Sequence, residues 1–203
     1  MKLAVWRGLR ALGLGGVVWV LVGVVCGAAQ AAPPPDREAV LALQAAPVRV
    51  LAVLDGDTLD VEDRHQRRWR IRLQGIDAPE LAQTRRQSGR TCRTQAQPHA
   101  DSARRALAGK VQGRWVQLRT DGTRSYDRVV AYVLVAGREV NRDLVAEGWA
   151  WSLDRHHASA SERQAYARAQ SEARAAGLGL WAGTEEGQPA QHPARWRAEH
   201  GRC

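Results

Sequence analysis

Lysine is nearly missing from this chain: of its thirty basic residues, only Lys2 and Lys110 are not arginine. The formal charge is +9 and the pI near 10.6, a balance that disfavours polycationic partners and favours polyanions whatever its origin. Codon bias toward arginine accounts for the residue choice as well as function does, although planar guanidinium forks grip phosphate better than ammonium groups. Cysteine is scarce, with Cys26, Cys92 and Cys203 the whole complement. The six histidines are scattered without zinc-site spacing, and Cys92 has no partnered base nearby, which speaks against a nucleophilic thiol. No internal repeat is present, and 203 residues are too few for two full-sized domains with separate cores.

One long apolar run exists, Ala11 to Ala29, preceded by Lys2, Arg7 and Arg10 and followed by Ala29-Gln30-Ala31, the small-x-small form that signal peptidases cleave. Residues 1–31 therefore read as a signal peptide, and the protein is expected to be exported, periplasmic or secreted. The leader accounts for three of the nine net charges, so the mature chain stays basic. At nineteen residues the run has the length of an uncleaved signal anchor, which is the alternative and the only route to a membrane association. Cys26 raises a lipoprotein site, but Val25 is a poor residue before a lipidated cysteine, and Pro33-Pro34-Pro35 marks an end to the apolar segment. An oxidising compartment would permit Cys92 and Cys203 to pair; the sequence leaves that open.

Residues 32–46 are rich in proline and alanine and read as a linker, with the domain, 47–184, beginning near Pro47. Val48 to Val61 is a β-rich stretch interrupted at Gly56, where a bulge is expected. Trp69, Ile71 and Leu73 alternate with Arg70, Arg72 and Gln74 in a further strand. Pro98 opens a helix to Leu107, with Gly109 placed to end it. Strands at 115–119 and 128–135 follow, with a short one at 138–140. Asn141 is placed as a helix N-cap, and Ser161 to Gln164 resembles a capping box opening a helix that Gly177 stops. The order predicts an α+β, mainly β domain: a closed or nearly closed antiparallel barrel of five strands, of OB type, with about three helices. Residues 185–203 read as a basic tail with Trp196 as its one obvious anchor.

Two acidic segments carry the chemistry. Asp57 shares strand parity with Leu59 and Val61, and Asp77 with Ile71 and Leu73, so both carboxylates lean toward the apolar side. Unpaired buried carboxylates are costly; two of them reached from neighbouring strands suit a hard cation with oxygen ligands. Each segment alone, Asp55-Gly56-Asp57 or Asp77-Ala78-Pro79-Glu80, reads equally as a turn. Turn formation does not account for Arg72 just before the second, or for Tyr126-Asp127-Arg128 entering a later strand.

From Val48 to Trp181 the chain resembles the staphylococcal nuclease, or thermonuclease, family. The resemblance is carried by Asp55-Gly-Asp-Thr58, Arg72-Leu-Gln-Gly-Ile-Asp-Ala-Pro-Glu80, Tyr126-Asp-Arg-Val-Val-Ala131, Asn141-Arg-Asp-Leu-Val145, Glu147-Gly-Trp-Ala150 and Gly177-Leu-Gly-Leu-Trp181, in the family's order. It implies an OB-type barrel and calcium-dependent hydrolysis of phosphodiester bonds in DNA or RNA by a monomer without a stable protein partner. Matched to the family's motif, Asp57, Asp77 and the Ala78 carbonyl would hold Ca2+, Glu80 would activate water, Arg72 and Arg128 would hold the phosphate, and Tyr126 would contact substrate. Two features depart from the pattern. Asp127 stands where relatives have glycine, and the aromatic that relatives place after the second-helix region is missing, with Asp154 near that position and His156-His157 following. Two other readings remain: a non-catalytic OB-type module that binds single-stranded nucleic acid, and a membrane-tethered interaction domain that binds calcium for stability.

Overall fold

The computed structural model describes residues 36–87, 89–182 and 190–201; the expected signal peptide, Cys26 and Cys203 lie outside them. Five strands form the body: β1 (Val48–Val53), β2 (Thr58–Glu62), β3 (Arg68–Leu73), β4 (Trp115–Arg119) and β5 (Arg128–Val135). They close into a barrel in the order β1-β2-β3-β5-β4, with β4 returning to β1. The α+β class and the five-stranded OB-type barrel expected from the pattern are what the chain adopts. One expectation fails: the sheet is not wholly antiparallel. β3 and β5 run parallel, Ile71 opposite Val129 and Leu73 opposite Ala131, because the long connection between them carries helix α2 (Ala100–Val111) and β4.

Period-two alternation fills the barrel. Val48, Val50, Leu59, Val61, Ile71, Leu73, Val116, Leu118, Val129, Ala131 and Val133 are all buried, and Ala103, Leu107 and Val111 of α2 join the same core. The bulge lies between Val50 and Ala52 rather than at Gly56, which sits in the turn between β1 and β2. A Cβ there would stand 2.6 Å from Ala78 Cβ and 2.9 Å from Ala103 Cβ, so glycine is needed for close approach of α2 and not for a strand irregularity. Helix α2 runs past Gly109 and stops at Gln112. Helix α3 (Val140–Ala146) is capped by Glu139, not Asn141. Asn141 is buried inside the helix instead, where its Oδ1 accepts from Val133 N–H at 2.9 Å and its Nδ2 donates to the Gln74 carbonyl at 2.9 Å. Helix α4 (Ala160–Ala175) begins two residues before the expected box, with Ser159 Oγ accepting from Glu162 N–H. The last two glycine motifs interlock: a Cβ at Gly148 (φ +75) would meet the Leu178 carbonyl at 2.2 Å, and Leu180 N–H donates to the Gly148 carbonyl at 2.8 Å.

Two further helices flank this core. Helix α1 (Arg37–Ala42) falls in the segment expected as a linker, and it buries Val40 and Leu43 in the core. Helix α5 (Pro193–His200) falls in the segment expected as a tail. Cys92 is disulfide-bonded.

The β2–β3 turn is organised by one carboxylate. Buried Asp63 accepts from His65 N–H (2.8 Å), Arg67 N–H (3.0 Å), Arg67 Nε (2.8 Å) and Trp69 Nε1 (3.0 Å). Burial alone would raise its pKa, but these donors outweigh it and hold the carboxyl below its ordinary range. The unfolded state therefore takes up a proton first as pH falls. The stabilisation is complete above the unfolded value, about 3.9, and is lost as pH drops through the folded one. Asp63→Ala is expected to lower unfolding free energy by about 2–3 kcal/mol near neutrality, the scale of a buried donor left unpaired together with part-buried bonds lost, and by less near pH 3. Urea melts at both pH values check this; equal losses would refute the linkage.

Candidate active site

Three neighbouring elements assemble the acidic residues. Asp57 ends the β1–β2 turn and is tied to β3 through Leu73 N–H, which donates to the Asp57 carbonyl at 2.8 Å. Arg72 lies on β3 opposite Thr58. Asp77 lies on the two-residue strand Ile76–Asp77, which pairs with Trp151–Ser152. Only 6% of Asp57 and 2% of Asp77 is exposed, in line with their strand parity.

Arg72 joins the two carboxylates. Its Nη2 donates to Asp77 Oδ1 at 2.9 Å, and its Nη1 lies against Asp57 Oδ2 in an ion pair rather than an aligned hydrogen bond. Asp57 Oδ2 also accepts from Ala78 N–H at 2.8 Å, and Asp57 Oδ1 from Thr58 Oγ1 at 3.1 Å. Ala78 is thus brought against Asp57 through its backbone. Burial pulls the Arg72 pKa down against the fields of Asp77 and Asp55. Burial likewise pushes the Asp55 carboxyl up, against Arg72 and hydrogen bonds from Thr58. Asp55 also has a turn role, accepting from Asp57 N–H at 2.9 Å.

A cleft of about 670 Å3 is lined in part by Asp55, Arg70, Glu80, Tyr126, Arg128 and Trp196. Arg70 is held by Asp60 through paired bonds of 2.8 and 3.1 Å. The backbone of Glu80 is locked on both sides by Gln97, whose Oε1 accepts from Glu80 N–H at 3.2 Å and whose N–H donates to the Glu80 carbonyl at 2.8 Å. Arg128 opens β5, and its Nη2 donates to Ser125 Oγ at 3.2 Å. Ser125 pairs with Arg128 across the two-residue turn Tyr126-Asp127. Within that turn it is Tyr126 that takes the left-handed conformation, φ 60. Asp127, the departure from the family's glycine, carries no such strain. The turn leaves Tyr126 89% exposed at the cleft rim.

The residues singled out in the sequence fall into two groups: Asp57, Arg72, Asp77 and Ala78 share one network of hydrogen bonds and ion pairs, while Glu80, Tyr126 and Arg128 line the cleft. His157 does not join them. It packs on Tyr166 with ring centroids 4.2 Å apart and meets Ser152 Oγ at 3.0 Å, so it belongs to the α4 packing.

Sequence reasoning missed Arg197. It reaches down from α5 and donates through Nη2 to Asp77 Oδ2 at 2.9 Å and through Nη1 to Asp77 Oδ1 at 3.2 Å. Its Nη1 also bonds Glu80 Oε1. Burial alone would lower its pKa, but Asp77 and Glu80 outweigh that and raise it above the ordinary guanidinium value. A helix signal was present in the segment, Pro193 at the first turn and Gly201 just past the end, but nothing local tells where the helix docks.

The donors suit a hard cation. Asp57, Asp77 and the Ala78 carbonyl would offer oxygen alone, and each of the two carboxylates has a guanidinium group beside it. Among the described residues no cluster of three or more His, Cys, Asp or Glu side chains could share a metal, so water and substrate oxygens would complete such a shell.

A model of the staphylococcal nuclease homologue family matches residues 70–183, a span that contains Arg72, Asp77, Ala78, Glu80, Tyr126 and Arg128 and leaves out Asp57 and α5. The chain is similar to an uncharacterized endonuclease of Haemophilus influenzae, 29% identical over 74% of this chain and 72% of that one. It is similar to Protein ParB of Escherichia coli, 33% identical over 74% and 78%. A probable staphylococcal-like nuclease of rice, CAN2, is 30% identical over 66% of this chain but only 30% of its own length. No helix among the described residues is long and apolar enough to cross a membrane. With the closed barrel, the family-model match over 70–183 and these likenesses in agreement, the chain belongs to the family of staphylococcal nuclease homologues.

Proposed function

We propose that the protein is a calcium-dependent phosphodiesterase that hydrolyses DNA, RNA or both. The observation that carries this reading is the clasp of Arg72 between Asp57 and Asp77, joined through Arg197 to Glu80 in a cleft that Arg128 also lines. Asp57, Asp77 and the Ala78 carbonyl would hold Ca2+, which when bound supplies Lewis-acid polarisation of a phosphoryl oxygen.

The remaining work falls to side chains. Glu80 takes a proton from the attacking water; its backbone is fixed by Gln97 and its side chain lines the cleft. Arg72 and Arg128 donate to the non-bridging phosphate oxygens, where negative charge grows as water adds. Arg72 is preorganised by its two carboxylates and Arg128 by Ser125, so little reorganisation is needed at the moment of reaction. Tyr126, exposed on the rim, offers a ring face to a base or its hydroxyl to a phosphate. Arg70 adds positive charge along the same wall.

Purified protein is expected to cleave single-stranded DNA with calcium and to lose cleavage with a calcium chelator, restored by excess calcium. Absence of cleavage in calcium would defeat the reading and leave a nucleic-acid-binding barrel. Unchanged cleavage in chelator would defeat the metal assignment alone.

A further inference from the structure

Helix α5 forms part of the cleft wall and carries a cation, Arg197, that the proposed mechanism does not use. Both oxygens of Asp77 are engaged by guanidinium nitrogens. Oδ1 accepts from Arg72 Nη2 and Arg197 Nη1, and Oδ2 from Arg197 Nη2. Arg197 also holds Glu80. A bidentate, half-buried guanidinium–carboxylate contact is among the stronger ion pairs a protein makes.

Among the described residues, the hold of α5 on the rest of the domain is otherwise slight. Of its own residues only Pro193 is buried. Its Arg195–Glu199 pair is exposed and internal to the helix, and Trp196 stacks on His200 of the same helix at 3.7 Å. Just before it, Gln97 Nε2 donates to the Gln191 carbonyl at 2.5 Å, and His192 packs at 5.6 Å from the Trp151 ring. Thus the entry to the helix is fastened at Gln191 to Pro193, while its far end is fastened to the domain through Arg197.

We infer that Arg197 is an internal counter-cation of the carboxylate site, so that docking of α5 and binding of a divalent cation at Asp77 exclude one another. The inference rests on the reading of Asp57 and Asp77 as cation ligands. The physical reason is that Arg72 leaves Asp77 Oδ2 open and Arg197 takes it, so with α5 docked a divalent ion could reach Asp77 only at contact distance from a guanidinium on either oxygen. The cation must lift Arg197 from Asp77, and in doing so it frees Glu80 to face water and opens the cleft wall that Trp196 closes. By linkage the docked helix weakens cation affinity by the same factor by which the cation weakens docking. Arg197 lies outside the span that the family model matches, so this is a property of this chain's C-terminal segment and not of the barrel.

Calcium titrations of the full chain by calorimetry, with wild type and Arg197→Ala side by side, test this together with amide hydrogen exchange of residues 194–200. Removing a half-buried competing ion pair is expected to tighten the apparent calcium Kd about tenfold. In wild type, saturating calcium is expected to speed exchange in α5 while barrel amides stay protected. Both results are required. A tighter Kd with α5 equally protected would mean that Arg197 acts by field alone, and an unchanged or weaker Kd in Arg197→Ala would mean that it does not compete; either overturns the inference. If wild type still cleaves single-stranded DNA in calcium, such a failure leaves the proposed function standing. If neither protein binds calcium and wild type does not cleave, both fall together.

Discussion

Glu80→Gln is expected to lower kcat on single-stranded DNA by about a thousandfold, within the range of general-base contributions, while KM changes by less than about threefold. The substitution keeps the size of the side chain and removes its ability to accept a proton from water. It leaves the Gln97 bonds in place, because those involve the Glu80 backbone N–H and carbonyl. Arg197 can still donate to an amide oxygen, so α5 has a partner at this position as well as Asp77. A loss confined to kcat would mark Glu80 as acting in the transition state and not in substrate binding. Steady-state cleavage of an end-labelled oligonucleotide, with equilibrium binding measured on the same variant, separates the two. Activity equal to wild type would remove Glu80 from the mechanism, and a matching loss of binding would make it a substrate contact.

The barrel was legible because its strands are half-buried: Trp69, Ile71 and Leu73 alternate with three polar residues, and the same period runs through 115–119. The carboxylate pair was legible for a related reason, since Asp57 and Asp77 hold apolar parity in strands where a carboxylate has no business without a counter-charge. What was not legible is contact at long sequence separation. The parallel pairing of β3 with β5 depends on a connection that brings Ile71 beside Val129, and no local pattern encodes it. The Gly56 error has the same origin. Asp-Gly-Asp carries a turn signal, but the reason a side chain is excluded there is the approach of Ala78 and Ala103 from other elements. Helices α1 and α5 were read as linker and tail because each is short and mostly polar. α1 commits little more than Val40 and Leu43 to the core, and α5 commits one arginine to the carboxylates. A composition window averages over such residues, and a single arginine 120 positions from its partner leaves no periodic trace.

Arg72→Ala is expected to act twice, on turnover and on the fold. Turnover should fall by about a hundred- to a thousandfold, the scale for loss of one preorganised donor to a developing oxyanion. The effect on the fold follows from the two buried carboxylates. Without Arg72, Asp57 keeps its bonds from Thr58 Oγ1 and Ala78 N–H but loses its ion pair, while Asp77 keeps Arg197. Removing one partner of a buried pair and stranding the other costs about 3–5 kcal/mol, which the proximity of Arg197 should reduce. Unfolding free energy in the absence of divalent ions is therefore expected to drop by about 3 kcal/mol. Calcium should restore more stability to Arg72→Ala than it adds to wild type, since in the variant it is the missing counter-charge and in wild type it enters beside one already present. Urea melts of both proteins with calcium and with chelator measure the difference, and kcat is taken on the calcium-loaded proteins. A variant as stable as wild type in chelator would show that the Arg72 clasp contributes nothing to folding. Equal stabilisation of the two proteins by calcium would show that the ion does not bind between Asp57 and Asp77, and with that the two carboxylates would lose their assignment as the metal site.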